Sequence, residues 1–175
     1  MGPDSDARRW PALVAAWYVT AFCAVAGGAV VWNMATGSPL RDNAVVVLAL
    51  VLRGLTVLLA LAAVQRWGRR LPDWTVLAGL CGAAAVQLLY PVAETVVKTL
   101  ILTGLMDPID KGISNMSGEG WFNFGATWLV WGVPGVLFAL AARDFGRRRP
   151  VRAGWVAFGL VAGAALLAGL GAAIG

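Results

Sequence analysis

The run AVVVLALVLRGLTVLLALAAVQ, residues 44–65, decides the fold class of this chain. Its 22 residues contain a single charge, at Arg53. An α-helix rises about 1.5 Å per residue, so about 20 apolar residues span the ~30 Å hydrocarbon layer of a bilayer. The run is too long and too uniformly apolar for a strand of an outer-membrane barrel, which alternates over about ten residues. It therefore predicts a transmembrane helix.

Four other apolar runs accompany it in the 175-residue chain: 11–34, 75–105, 121–141 and 153–175. Hydrophobic residues make up 59% of the chain and charged residues 13%, whereas about 25% of the residues of soluble domains are charged. These features predict an all-α, polytopic membrane helix bundle with five transmembrane helices in one integral membrane domain, 1–175. The first run is far longer than the ~7–15-residue core of a signal peptide, so we expect it to be retained.

Basic residues are distributed unevenly between the loops, and this bias predicts the orientation. The N-terminal tail and the loops at 66–73 and 142–152 hold ten Lys or Arg residues, whereas the loops at 36–43 and 106–120 hold two. Because cytoplasmic loops are enriched in Lys and Arg, we expect the N-terminus to be cytoplasmic and the C-terminus to be outside. Arginine far outnumbers lysine amid abundant Ala, Gly and Val, which indicates a bacterial genome rich in G and C. We therefore expect a multi-pass protein of the bacterial cytoplasmic (inner) membrane.

The side chains present exclude several kinds of site. The chain has no histidine, which excludes Ser-His-Asp triads and most zinc sites. Cys23 and Cys81 lie within apolar runs, where we interpret them as packing residues. The net charge of +5 is not accompanied by a basic helix or stacking aromatics, so we expect no nucleic-acid partner. Asp107, Asp110 and Glu119 match no calcium-binding loop, so we expect a solvated loop, no metal and no cofactor.

The third apolar run contains a polar stripe. Residues four, seven and eleven positions apart lie on nearly the same side of an α-helix. Within AAAVQLLYPVAETVVKTLIL, residues 83–102, such a set is formed by Gln87, Pro91, Glu94 and Lys98, with Tyr90 beside it. Pro91 has no N–H, so it also leaves the carbonyl of Gln87 without its helical donor.

Arg53 adds a charge near the middle of the second run, where insertion costs about 2.5–3.5 kcal/mol unless a partner is present. At ~1.5 Å per residue, Arg53 lies at about the depth of Gln87, and Glu94 lies one to two turns further out. We expect a charge-assisted bond between Arg53 and Glu94, supported by Gln87 or Tyr90. Two interpretations stay open: the pair lines a functional cavity, or it fixes the register of two helices. Lys98 either joins this site or extends to the outer interface.

The fourth and fifth runs contribute different side chains. In the fourth run, Asn123 and Thr127 share a face, and Trp128 and Trp131 lie at membrane depth. These four residues are candidate walls of a pocket for an amphiphile, although both tryptophans also suit simple helix packing. In the fifth run, small residues four positions apart allow close helix packing, either within the chain or in a homo-oligomer. The clearest such pair is Gly159 and Gly163.

The predicted function is the binding of an amphiphilic or isoprenoid-like small molecule at an intramembrane site. Arg53 and Lys98 would hold an anionic or carbonyl oxygen, Glu94 would exchange a proton, and Tyr90 and Gln87 would orient the ligand. An enzymatic version is acid–base cyclisation or isomerisation of a lipid or isoprenoid, with Glu94, Arg53 and Tyr90 as catalytic residues. The alternative is a non-catalytic membrane subunit or a small transporter, in which the buried pair is a register pin or a gate. The expected partners are the lipid bilayer and the amphiphile.

Overall fold

The computed structural model describes residues 10–37, 39–108, 112–149 and 151–174, and 87% of it is helical with no strand in the described part. Five helices are long and apolar enough to cross a membrane, which confirms that part of the sequence-based prediction. The helices are α1 (Trp10–Ala35), α2 (Ala44–Ala62), α3 (Asp73–Leu102), α4 (Gly118–Arg148) and α5 (Ala153–Ile174).

Helix α4 is longer than the apolar run at 121–141 because helix formation does not stop where the apolar residues stop. Polar residues after Ala141 extend the helix to Arg148, and Arg149 then adopts an extended conformation with φ −129° and ψ 100°. The next residue in the sequence is Pro150, and a proline disfavours helical geometry in the residue before it. The end of α4 is therefore set by the proline rather than by hydropathy.

Helix α3 lies at the centre of the bundle, with α4 and α5 packed against it, while α1 packs mainly on α2 and α4. The apolar core lies where α1 and α3 begin and α2 and α4 end. Its most completely buried members are Ala15, Val19, Ala60, Leu80 and Phe138. Many core residues are alanines, which allows the helices to approach closely. Large apolar side chains such as Trp17 and Val25 are exposed on the outer surface, as expected for helices that face lipid.

The basic residues predicted in the loops at 66–73 and 142–152 lie at this end of the bundle, and those of the second loop up to Arg148 belong to helix α4. Arg149 Nη1 donates to both carboxylate oxygens of Asp73 at 3.1 Å, and the rings of Trp74 and Trp155 stack with centroids 4.4 Å apart. These contacts join the end of α4 and the start of α5 to the first turn of α3. The predicted orientation rests on the charges of the tail and loops. Four of these charged residues lie outside the part of the chain that the structure describes: Arg8, Arg9, Asp110 and Lys111.

The small residues of α5 face α3 of the same chain. A Cβ added to Gly159 would lie 2.3 Å from the Ala78 carbonyl oxygen, and one added to Gly163 would lie 2.5 Å from the Gly82 carbonyl oxygen. The two helix backbones therefore touch along this seam, and both glycines are buried in it. Self-association of the chain stays a prediction, and it would have to use a surface other than Gly159 and Gly163.

We expect opposite effects on stability from two Gly→Ala substitutions in α5. Gly159→Ala should lower the free energy of unfolding by about 1–3 kcal/mol, because the new methyl group meets backbone that cannot move aside. Gly169→Ala is the matched control, because a Cβ there meets nothing within 4 Å and alanine favours helix by about 0.5–1 kcal/mol. Unfolding by sodium dodecyl sulfate in mixed micelles would measure both. Equal stability of the two variants would show that α3 and α5 are not in backbone contact.

Candidate functional site

An open cleft of about 570 Å³ lies between α3, α4 and the short 3-10 turn Gly112–Ser114. Five of the predicted site residues line it: Tyr90, Glu94, Asn123, Thr127 and Trp131. The apolar core occupies one end of the bundle, and the cleft lies between the same two helices in the opposite half. The polar stripe of α3 and the polar face of α4 therefore meet at one place, as their positions along the two helices suggested.

Glu94 is 3% exposed at the wall of this cleft. Its Oε1 lies 3.8 Å from Lys98 Nζ, one turn further along α3. Its Oε2 is buried and has no hydrogen-bond donor among the described residues. Because a buried polar atom normally has a hydrogen-bond partner, this oxygen is the most distinctive feature of the cleft.

Lys98 does not extend to an interface, which corrects one of the two interpretations of this residue. It is 2% exposed, and its Nζ donates to the backbone carbonyl of Asn115 at 2.6 Å. The rings of Trp121 and Phe124 also lie near its ammonium group, with centroids 5.0 and 5.8 Å from Nζ. The ammonium is therefore enclosed by α4 and the loop before it, and it does not itself line the cleft.

The loop before α4 is held in place around Asn115 by side-chain hydrogen bonds, while Asp107 and Glu119 are exposed. The side-chain oxygen of Asn115 accepts from the Ser117 backbone N–H at 2.9 Å, and the Ser117 hydroxyl accepts from the Gly120 N–H at 3.3 Å. This serine is an N-cap of α4. A Cβ on Gly120 would lie 2.2 Å from the Asn115 carbonyl oxygen, so only glycine allows this close approach. The arrangement directs the Asn115 carbonyl to Lys98.

Arg53 and Glu94 form no ion pair, so the predicted bond between them is wrong. Arg53 is 5% exposed, and its Nη2 donates to the backbone carbonyl of Val130 in α4 at 3.1 Å. Its guanidinium lies between the rings of Phe22 and Trp131, at 4.3 and 4.1 Å from their centroids. Two aromatic faces and a carbonyl thus surround the charge, each a favourable contact for a guanidinium.

The carbonyl that Arg53 binds lies four residues before Pro134, which cannot donate to it. Residues Trp128–Gly132 form a π-helical segment within α4, in which the Val133 N–H bonds to the Trp128 carbonyl. An α-helical Val130 carbonyl would accept from the N–H of residue 134, which proline lacks. The neighbouring carbonyl of Leu129 is also satisfied from outside the helix, by the Tyr18 hydroxyl at 2.7 Å. Side chains of α1 and α2 thus supply the donors that α4 itself lacks.

Gln87 and Trp128 lie close to the cleft but do not line it. Gln87 Nε2 donates to the Ala83 carbonyl at 3.3 Å, and Gln87 Oε1 is buried without a described donor. The Trp128 Nε1–H donates to the Thr95 hydroxyl at 3.0 Å, and this hydroxyl donates to the Pro91 carbonyl at 2.7 Å. This chain of hydrogen bonds fixes α4 against α3 behind the cleft.

Sequence reasoning missed three contributors to this region: Asn115, Glu119 and Tyr18. Glu119 and Asn115 line the cleft. The sequence feature that could have identified them is the helix start formed by the Ser117 cap and Gly120. Tyr18 could have been found as a phenol within a span, one of two tyrosines in the chain, because a buried hydroxyl needs an acceptor.

Comparison of the chain with protein-family models, curated proteins and solved structures finds no match in any of the three. The function must therefore be inferred from the site alone.

Proposed function

We propose that the protein is a multi-pass protein of a bacterial cytoplasmic membrane that binds an amphiphilic small molecule in the cleft between α3 and α4. The observation that carries this proposal is Glu94, which lines an open cleft and whose buried Oε2 has no donor from the described residues. Ligand sites orient their ligands with a few polar groups placed among apolar ones, and this cleft combines polar side chains with Ala126, Val130 and Trp131. The apolar surface of the five helices supports the membrane setting.

The proposed orientation places the basic loops in the cytoplasm. The segment 63–72 and Arg149 lie at the core end of the bundle, and the cleft lies towards the opposite end. The cleft would then open in the outer half of the membrane, where a ligand could enter from the outer leaflet.

Binding, rather than acid–base catalysis, is the proposed role. Of the three catalytic residues of the enzymatic version, Tyr90 and Glu94 line the cleft, whereas Arg53 belongs to a separate cluster. A register role for Arg53 has its own support, because this side chain connects α2 to the ring of Phe22 in α1 and to the Val130 carbonyl in α4.

The test is ligand retention measured by native mass spectrometry on protein released from nanodiscs. We expect wild-type protein to retain a compound other than bulk phospholipid, and Glu94→Gln to retain it about tenfold less. A hydrogen bond to a charged group contributes about 1.5–3 kcal/mol, and 1.4 kcal/mol is a factor of ten.

Two further variants make this result specific. Asn123→Leu changes an exposed wall residue of the cleft and should also lower retention, without the folding risk of a buried site. Asp144→Asn removes a carboxylate of α4 that does not line the cleft, and it should leave retention unchanged. Equal retention by wild type, Glu94→Gln and Asn123→Leu would exclude the cleft as the binding site.

A further inference from the structure

The charges that line the cleft are all of one sign. Glu94 and Glu119 are the charged residues among the described residues of its wall, and no lysine or arginine accompanies them there. Glu94 is buried, whereas Glu119 is exposed and lies in the first turn of α4. The remaining polar groups of the wall, on Tyr90, Asn123 and Thr127, are neutral.

Neither of the two buried cations near the cleft, Lys98 and Arg53, belongs to its lining. Lys98 Nζ donates to the Asn115 carbonyl at 2.6 Å and lies near the rings of Trp121 and Phe124. Arg53 donates to the Val130 carbonyl and lies on the ring of Trp131. Arg53 Nη1 is buried without a partner among the described residues, but it is not part of the lining, so an anionic head group would meet two carboxylates and no lysine or arginine among the described residues of the wall.

Neither oxygen of Glu94 has a close hydrogen bond from the described residues. The 3.8 Å separation of Oε1 from Lys98 Nζ exceeds the ~2.7–2.9 Å of a charge-assisted hydrogen bond, and Oε2 has no donor in the described part of the chain. Leaving a buried acceptor unsatisfied is unfavourable, and it is worse for a charged one. A group that fits this oxygen must therefore bring an N–H or O–H of its own, and a positive charge would match the carboxylates.

We propose that the amphiphile bound in the cleft carries a protonated primary amine, which donates hydrogen bonds to the carboxylate of Glu94. This inference rests on the proposed function and names the head group that the cleft would select. Glu119 attracts the ammonium group at the rim, and Asn123 and Thr127 accept its remaining N–H bonds. Ala126 and Val130 provide the apolar wall for the chain. A metal ion fits less well, because the described residues contain no group of three carboxylate or sulfur ligands.

The experiment compares three probes that share a ten-carbon chain: decylammonium, decyltrimethylammonium and decanoate. Each is titrated by calorimetry at neutral pH into wild-type protein in phosphatidylcholine nanodiscs, with empty nanodiscs as the reference for partitioning. We expect the Kd of decylammonium to be lower than that of either other probe by at least about tenfold, because only it combines positive charge with N–H donors. Glu94→Gln should remove most of this preference.

A second variant keeps the test valid if Glu94→Gln folds poorly. Glu119→Gln changes an exposed side chain and should weaken decylammonium binding about two- to fivefold, the effect of one screened surface charge. Equal binding of decyltrimethylammonium would overturn the need for an N–H, and tighter binding of decanoate would overturn the sign of the charge. Both outcomes leave the cleft as a binding site for an amphiphile. If no probe binds the wild type more strongly than Asn123→Leu, the proposed function fails as well.

Discussion

Replacement of Lys98 by methionine is expected to lower the free energy of unfolding by about 3–5 kcal/mol. Methionine has a similar length and fills the same space between α3 and α4, so the lost charge is the main change. The carboxylate of Glu94 would then remain buried, 3% exposed, without the cation that lies 3.8 Å from it. The carbonyl of Asn115 would also lose its donor. Unfolding by sodium dodecyl sulfate, followed by tryptophan fluorescence, would measure the loss.

The double variant Lys98→Met, Glu94→Gln distinguishes a charge effect from a packing effect. Removing both charges should recover most of the lost stability, because the large penalty belongs to the unpaired carboxylate rather than to the pair itself. Arg143→Met is the control for loss of one cation at an exposed position of α4, and it should change stability by less than about 0.5 kcal/mol. A single Lys98→Met variant as stable as Arg143→Met would show that Lys98 does not compensate Glu94.

Much of the architecture follows from the sequence because hydropathy and helical periodicity are local properties. The five apolar runs become five long helices, and the spacing of Gln87, Glu94 and Lys98 along α3 places all three side chains on its buried face. The same periodicity puts Asn123 and Thr127 on one face of α4. None of these results requires knowledge of which helices are neighbours.

The partner of Arg53 could not be predicted in the same way, because depth along one helix does not identify the neighbouring helix. Helix α2 packs mainly on α1, and its contacts with α3 are fewer. Arg53 therefore meets Phe22 and α4 rather than Glu94. The prediction also assumed that a buried cation needs an anion, whereas aromatic faces and an unpaired carbonyl surround this one.

Pro134 is the sequence signal that would have corrected the prediction. Pro91 was expected to free the carbonyl of Gln87 by removing a backbone donor, and the same reasoning applied to Pro134 identifies the carbonyl of Val130 as an acceptor. What the sequence could not supply is the π-helical segment Trp128–Gly132, which depends on how α4 packs against the donors of α1 and α2. Such segments are frequent at functional sites, and here Trp131 belongs both to the segment and to the cleft wall.

Replacement of Arg53 by methionine is the second change with a large expected effect, a loss of about 2–4 kcal/mol of unfolding free energy. The part-buried Val130 carbonyl would lose the hydrogen bond from Arg53, which costs about 1–3 kcal/mol. The rings of Phe22 and Trp131 would also lose a stacked cation, worth about 0.5–2 kcal/mol. Arg53→Lys should restore only part of the loss, because a lysine ammonium cannot stack as a planar guanidinium does.

A second substitution, at Pro134, tests whether the loss comes from the hydrogen bond between Arg53 and the Val130 carbonyl. In the variant Pro134→Ala, residue 134 regains an N–H that can donate to Val130 within α4, so the bond from Arg53 at 3.1 Å becomes redundant. Arg53→Met should therefore cost about 1–3 kcal/mol less in the Pro134→Ala background than in the wild type. A double-mutant cycle of unfolding free energies measures this difference directly. Additive effects would mean that Arg53 is held by the two rings alone, and that the proline in α4 has no part in its burial.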